Sequence, residues 1–188
     1  KVRELKYEPF IWPTTLPQER MEKDICFGCI NGCMRVKYHP ENKRSGKYCC
    51  QSAGYYEVRA QRYYGKVTDV PFQATKLCDD YGIDTRAVET LIMWLSRCHK
   101  AHILSEDETG LPLSKLGSLE FIQTLLHTIA FREGFGDILA EGTLKAANIV
   151  GKNSDRYITD YMIKTGEDSP YGSRMHITTG LLYATEPR

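Results

Sequence analysis

The sequence predicts a mainly α domain with one small β-hairpin beside it. Three observations carry this. Apolar residues recur at helical spacing from about residue 70 to about residue 147. Two groups of turn residues, His39-Pro40-Glu41-Asn42 and Arg44-Ser45-Gly46, separate two short strand-forming runs. Three cysteines, Cys26, Cys29 and Cys33, fall in one turn-rich loop ahead of both.

The hairpin is expected to pair Val36-Lys37-Tyr38 with Lys47-Tyr48-Cys49, with Lys43, Arg44 and Lys47 as a solvated tip. The first helix is expected after Asp69, a residue with N-cap chemistry, with Pro71 in its first turn. It should run to about Asp80 and end at Gly82. A second follows Asp84, where Val88, Leu91, Ile92 and Leu95 form one apolar face. A third starts after Ser114, with Leu119, Ile122, Leu125, Leu126 and Ile129 on one side, and stops at Gly134-Phe135-Gly136. A short fourth begins at Asp137 and includes Ile138, Leu139, Leu144 and Ala147. These faces should pack together, with Met93 and Trp94 at the core or its rim. Residues 151–188 read as turn-rich with short extended pieces.

The 188 residues suffice for one domain with a sizeable core, and 41% hydrophobic with 26% charged residues suits a soluble globular protein. A net charge of +1 gives no electrostatic reason to bind nucleic acid or an anionic membrane, and no apolar run is long enough to span a bilayer. Seven cysteines, an odd number, argue against a secreted disulfide framework and for a reduced, cytoplasmic compartment. The chain opens on Lys1 and stops at Arg188 straight after an apolar stretch, so a fragment of a longer polypeptide is expected. Residues 1–24, with Pro9, Pro13 and Pro17, read as a lead-in from a preceding domain, and residues 25–188 as the domain proper.

Cys26, Cys29 and Cys33 are spaced C-x2-C-x3-C. Thiolates so spaced can converge on one metal centre while Gly28 and Gly32 let the backbone wrap it. A [4Fe-4S] cluster is held by four thiolates, so three in one loop need a fourth ligand from elsewhere. Zinc accepts similar pairs. With Cys49 or Cys50 as the fourth ligand, the loop would make a structural zinc site in a non-enzymatic interaction domain. An electron-transfer module with a cluster alone is a further alternative.

The run Asp79-Asp80-Tyr81-Gly82-Ile83-Asp84 has the form D-x-x-G-x-D at a helix–turn–helix junction. A turn glycine and an N-cap aspartate explain it fully as local structure. Two outward carboxylates fixed on one turn can also accept hydrogen bonds from the N–H and NH2 groups of a heterocycle such as a pterin.

Taken with the cysteine loop, the sequence resembles the tungsten-dependent aldehyde ferredoxin oxidoreductase family. Four stretches carry the resemblance in the family's order. They are Cys26-Phe27-Gly28-Cys29-Ile30-Asn31-Gly32-Cys33, Leu77-Cys78-Asp79-Asp80-Tyr81-Gly82-Ile83-Asp84-Thr85, Arg132-Glu133-Gly134-Phe135-Gly136-Asp137-Ile138-Leu139-Ala140-Glu141-Gly142 and Gly180-Leu181-Leu182-Tyr183-Ala184-Thr185. The resemblance implies the central helical domain of such an enzyme, with an iron–sulfur loop and a small β-hairpin. It implies a [4Fe-4S] cluster on Cys26, Cys29 and Cys33, the fourth cysteine lying in a later domain. It implies a tungsten or molybdenum bis-pterin, with Asp79 and Asp84 holding one pterin and Gly82 shaping the turn. Glu57, in Gly54-Tyr55-Tyr56-Glu57-Val58, resembles a glutamate near the metal, where a carboxylate exchanges protons with substrate; an ordinary surface carboxylate is the plain alternative. Cys78 is either a thiolate ligand to the metal or a buried inert side chain. Arg174 either binds a pterin phosphate or anchors its own turn. The five histidines show no metal-ligand spacing, and His127 is expected to be structural or solvent-facing.

The activity implied is aldehyde oxidation to carboxylate coupled to a ferredoxin or an iron–sulfur subunit. The nearby benzoyl-CoA reductase branch implies low-potential reduction of an aromatic acyl-CoA within a larger oligomeric complex. The isolated fragment is expected to be inactive.

Overall fold

The computed structural model describes residues 16–25, 27–28, 35–41, 45–48, 51–159 and 177–185, without the side chains of 18, 51–54, 179 and 183. Three antiparallel strands form one sheet in the order β1 (Met21–Lys23), β2 (Val36–Tyr38), β3 (Gly46–Tyr48). The expected hairpin is there: Val36 pairs with Tyr48 and Tyr38 with Gly46. The third strand, β1, comes from the stretch read as a lead-in, and it sets Met21 opposite Tyr38 and Lys23 opposite Val36.

Eight α-helices are described: α1 (Gln51–Tyr64), α2 (Val70–Tyr81), α3 (Thr85–Lys100), α4 (Glu106–Thr109), α5 (Leu119–Phe131), α6 (Phe135–Ala140), α7 (Thr143–Val150) and α8 (Ile177–Thr185). The face read on α3 is the buried one: Val88, Leu91, Ile92 and Leu95 are all inside, and Trp94 is fully buried with Nε1 donating to the Ser154 carbonyl at 3.1 Å. Each such side chain withdrawn from water contributes roughly 1.5–3 kcal/mol before chain entropy is counted. Ile122, Leu125 and Leu126 of α5 join the same core.

Several expectations need correction. α1 was not anticipated; its buried residues are Tyr55, Tyr56, Glu57 and Ala60, not an aliphatic stripe. The predicted fourth helix is two, α6 and α7, because Gly142 takes φ 86° and breaks the hydrogen-bond ladder between them. The last described residues, read as extended, are helical (α8). Asp69 precedes α2 as expected, yet its side chain makes no cap bond. Its Oδ1 instead accepts from Tyr38 Oη at 2.6 Å.

The sheet rests on α2 through a second small core of Leu16, Tyr38, Tyr48 and Phe72. The Phe72 ring lies 5.1 Å from that of Tyr38 and 5.9 Å from that of Tyr48. Between α5 and α6 the backbones touch: a Cβ on Gly136 would sit 2.3 Å from the Thr128 carbonyl.

Candidate functional site

The cysteine run connects β1 to β2. Both of its ends are fixed, by the Lys23–Val36 pairing and by the Asp24 amide donating to the Arg35 carbonyl at 3.2 Å. Arg35 and Asp24 also form an ion pair at 3.5 Å. The segment that bears Cys26, Cys29 and Cys33 therefore joins two paired antiparallel strands, and Gly28 within it takes φ 73°. Phe27 is fully exposed there. Cys26, Cys29 and Cys33 themselves lie outside the described residues, as do Cys49, Cys50 and Arg174.

Glu57 is not a surface carboxylate. It is 6% exposed, on the sheet-proximal half of α1, and Tyr48 Oη donates to its Oε1 at 2.6 Å. Tyr48 is itself 1% exposed. A carboxylate withdrawn from water needs such a donor, because burying an unpaired charge is costly. Tyr48 of β3, paired with Val36 of β2 at the cysteine end of the sheet, thus reaches directly to Glu57.

Asp79, Gly82 and Asp84 gather at the α2–α3 junction. Gly82 ends α2 in the left-handed region at φ 67°, and its amide bonds back to the Asp79 carbonyl at 3.2 Å. Asp84 caps α3: its Oδ1 accepts from the Arg86 amide at 2.6 Å and from the Ala87 amide at 3.4 Å. Asp79 pairs with Lys76 on the same helix and stays exposed. Asp79 and Asp80 line a cleft of about 540 Å3 with Ser45, Phe72, Gln73, Lys76 and Gln123 among its walls. Phe72 thus has Tyr48 against its ring and this cleft along its edge.

Cys78 sits one residue before Asp79 but faces the core, 1% exposed, with Sγ 3.3 Å from Tyr55 Oη. Burial pushes the thiol up to about 11, with smaller contributions from the Asp79 and Asp84 charges. Its protonated state at neutral pH suits packing. His127 is exposed, 3.5 Å from Glu133 and against the Phe131 ring. Among the described residues no cluster of three or more histidine, cysteine or acidic side chains could hold a metal ion. No helix among them is long and apolar enough to cross a membrane.

Tyr48 is the residue that the sequence did not flag. As a strand tyrosine it carried no motif; its chemistry arises only when β3 is set against α1.

A family model described as aldehyde ferredoxin oxidoreductase, domains 2 and 3, matches residues 11–188. The chain belongs to this family. The tungsten-containing aldehyde ferredoxin oxidoreductase of Pyrococcus furiosus is 30% identical over 166 residues, covering 87% of this chain and 26% of that protein. That of Pyrococcus abyssi is 29% identical, with the same shares covered. A Pyrococcus furiosus aliphatic sulfonate oxidoreductase, WOR-like subunit, is 27% identical over 73% of this chain and 22% of that protein. Among solved structures, the active site complex BamBC of benzoyl coenzyme A reductase in complex with 1,5 dienoyl-CoA matches with a TM-score of 0.62 and 25% identity, over 79% of this chain and 21% of that one. The chain spans about a quarter of the length of the curated relatives it matches. The mainly helical fold expected from the resemblance is the fold found.

Proposed function

We propose that this chain is the cluster- and pterin-binding part of a tungsten or molybdenum bis-pterin oxidoreductase with a [4Fe-4S] cluster. The observation that carries the reading is the buried Glu57, held by Tyr48 of β3, which pairs with Val36, the first residue of the strand that follows the cysteine segment. Family membership supplies the rest of the support.

The donor set suits these groups. Three soft thiolates in one loop with clamped ends suit three irons of a cubane, the fourth ligand coming from a later part of the polypeptide. Asp79 and Asp84 are exposed carboxylates on one junction, shaped by Gly82, and carboxylates accept from the N–H groups of a pterin ring. Arg174 is proposed for a pterin phosphate, since a guanidinium forms paired bonds to phosphate oxygens. Cys78, protonated and packed on Tyr55, is assigned to the core rather than to the metal. When bound, the metal–pterin centre would supply two-electron, low-potential redox chemistry, and the cluster held by Cys26, Cys29 and Cys33 would supply one-electron transfer.

Oxidation of an aldehyde with water to a carboxylic acid releases two electrons and two protons. Glu57 is proposed to take up a proton at its carboxylate, in a site from which burial keeps bulk water. A ferredoxin or an iron–sulfur subunit would receive the electrons. The BamBC likeness supports a second reading, in which the same carboxylate delivers a proton during reduction of an aromatic acyl-CoA within a multi-subunit complex. We place the protein in the cytoplasm, as an odd number of cysteines with three of them clustered in sequence favours a reducing compartment.

Cys29→Ser in the full-length protein tests the cluster. The account expects loss of the broad visible absorption of a [4Fe-4S] centre. Full retention of that absorption would show that another part of the protein holds it.

A further inference from the structure

We infer that Tyr48 is a positioning residue for the proton-exchanging carboxylate: its hydroxyl holds Glu57 Oε1 in place. The inference rests on the role proposed above for Glu57.

Three observations carry it. First, the bond is short and dry. Tyr48 Oη lies 2.6 Å from Oε1, with Tyr48 1% and Glu57 6% exposed, so water does not compete for either atom. Second, the donor is rigid. The Tyr48 ring is buried and packs against the rings of Tyr38 at 6.1 Å and Phe72 at 5.9 Å, leaving its hydroxyl little freedom to follow a moving carboxylate. Third, the bond is not needed to fasten the sheet. Tyr38, from the neighbouring strand, already ties the sheet to the start of α2 through Asp69. A phenylalanine at position 48 would keep the ring packing in the small core of Leu16, Tyr38 and Phe72 and lose only the hydroxyl. Losing that donor removes the bond that fixes Oε1, and catalysis by a positioned proton acceptor falls steeply with misorientation.

The test compares Tyr48→Phe and Glu57→Gln in the full-length, anaerobically purified metalloenzyme. Turnover is assayed with benzaldehyde and oxidised benzyl viologen, and with benzoyl-CoA and reduced viologen. An isotope-edited infrared spectrum follows the glutamate carboxyl band that Glu57→Gln abolishes. The expected result for Tyr48→Phe is unchanged tungsten and iron content, unchanged KM, a kcat about tenfold lower, a barrier change of the size one such bond carries, and a shifted band. Site-specific 3-fluorotyrosine at position 48, which keeps the donor and the packing, should restore kcat to within twofold. A shifted band with kcat unaltered would overturn the inference, because the bond would then be broken without consequence. Loss of metal together with kcat in Tyr48→Phe, unrescued by 3-fluorotyrosine, would also overturn it and make the bond a structural staple. If Glu57→Gln itself turns over normally, the role of Glu57 fails and the inference with it. If Glu57→Gln is dead while Tyr48→Phe is normal, the inference alone fails.

Discussion

Tyr38 of β2 and Asp69, the residue before α2, are joined by a hydrogen bond of 2.6 Å across 31 residues of sequence. Arg20 approaches the same carboxylate at 3.9 Å. This contact ties β2, the strand that follows the cysteine segment, to the start of α2. Tyr38→Phe keeps the packing on Phe72 and removes one bond to a carboxylate, a loss of about 1.5–3 kcal/mol. Chemical denaturation should show a lower midpoint with an unchanged slope. An unchanged midpoint would mean that this bond adds nothing to the packing on Phe72 and the Tyr48–Glu57 bond.

Gly136→Ala should destabilise the α5–α6 contact. Its Cβ would fall 2.3 Å from the Thr128 carbonyl, so the backbones must separate, at a cost of about 1–3 kcal/mol. Thermal unfolding reads this directly. Glu141→Ala serves as a control, as that side chain is exposed and its loss removes only surface ion pairs.

Asp84→Asn separates two roles of one side chain. Asparagine caps a helix about as well as aspartate, so stability should stay within roughly 0.5 kcal/mol. Pterin content of the purified full-length protein should nevertheless fall, because the carboxylate charge is gone. Unchanged pterin content would reduce Asp84 to the cap that its bonds to the Arg86 and Ala87 amides describe.

Alkaline pH should unfold the domain earlier than its core suggests. Burial pushes Cys78 and Cys98 up to about 11 and Tyr38 up to about 12, all above their ordinary values of 9.0, 9.0 and 10.0. A group that binds its proton more tightly when folded stabilises the fold below its unfolded value and loses that contribution as pH rises through the folded one. Stability should therefore hold to about pH 9 and decline from there to about pH 12, by roughly 2–3 kcal/mol for each buried thiol. Cys98→Ala should lessen that decline, and an equal decline without Cys98 would contradict the assignment.

The helices were legible where burial is written in aliphatic side chains. Val88, Leu91, Ile92 and Leu95 announced α3, and Gly82 and Asp84 announced the junction before it. The helix α1 was not legible, because its inner face is made of Tyr55, Tyr56, Glu57 and Ala60, which form no apolar stripe. The N-cap role expected of Asp69 failed because a tertiary partner, Tyr38, competes for the same oxygen. Glu57 was visible as a candidate through family resemblance alone. Its burial and its bond to Tyr48 depend on β3 folding back on α1, and no local pattern encodes that.

The central claim, that the chain is part of a metal–pterin oxidoreductase, is tested most directly by elemental analysis. Iron, tungsten, molybdenum and zinc should be measured in the full-length protein purified without oxygen. The account predicts about four irons, with tungsten or molybdenum, per chain. Zinc alone would contradict it and make the cysteine hairpin a structural clip.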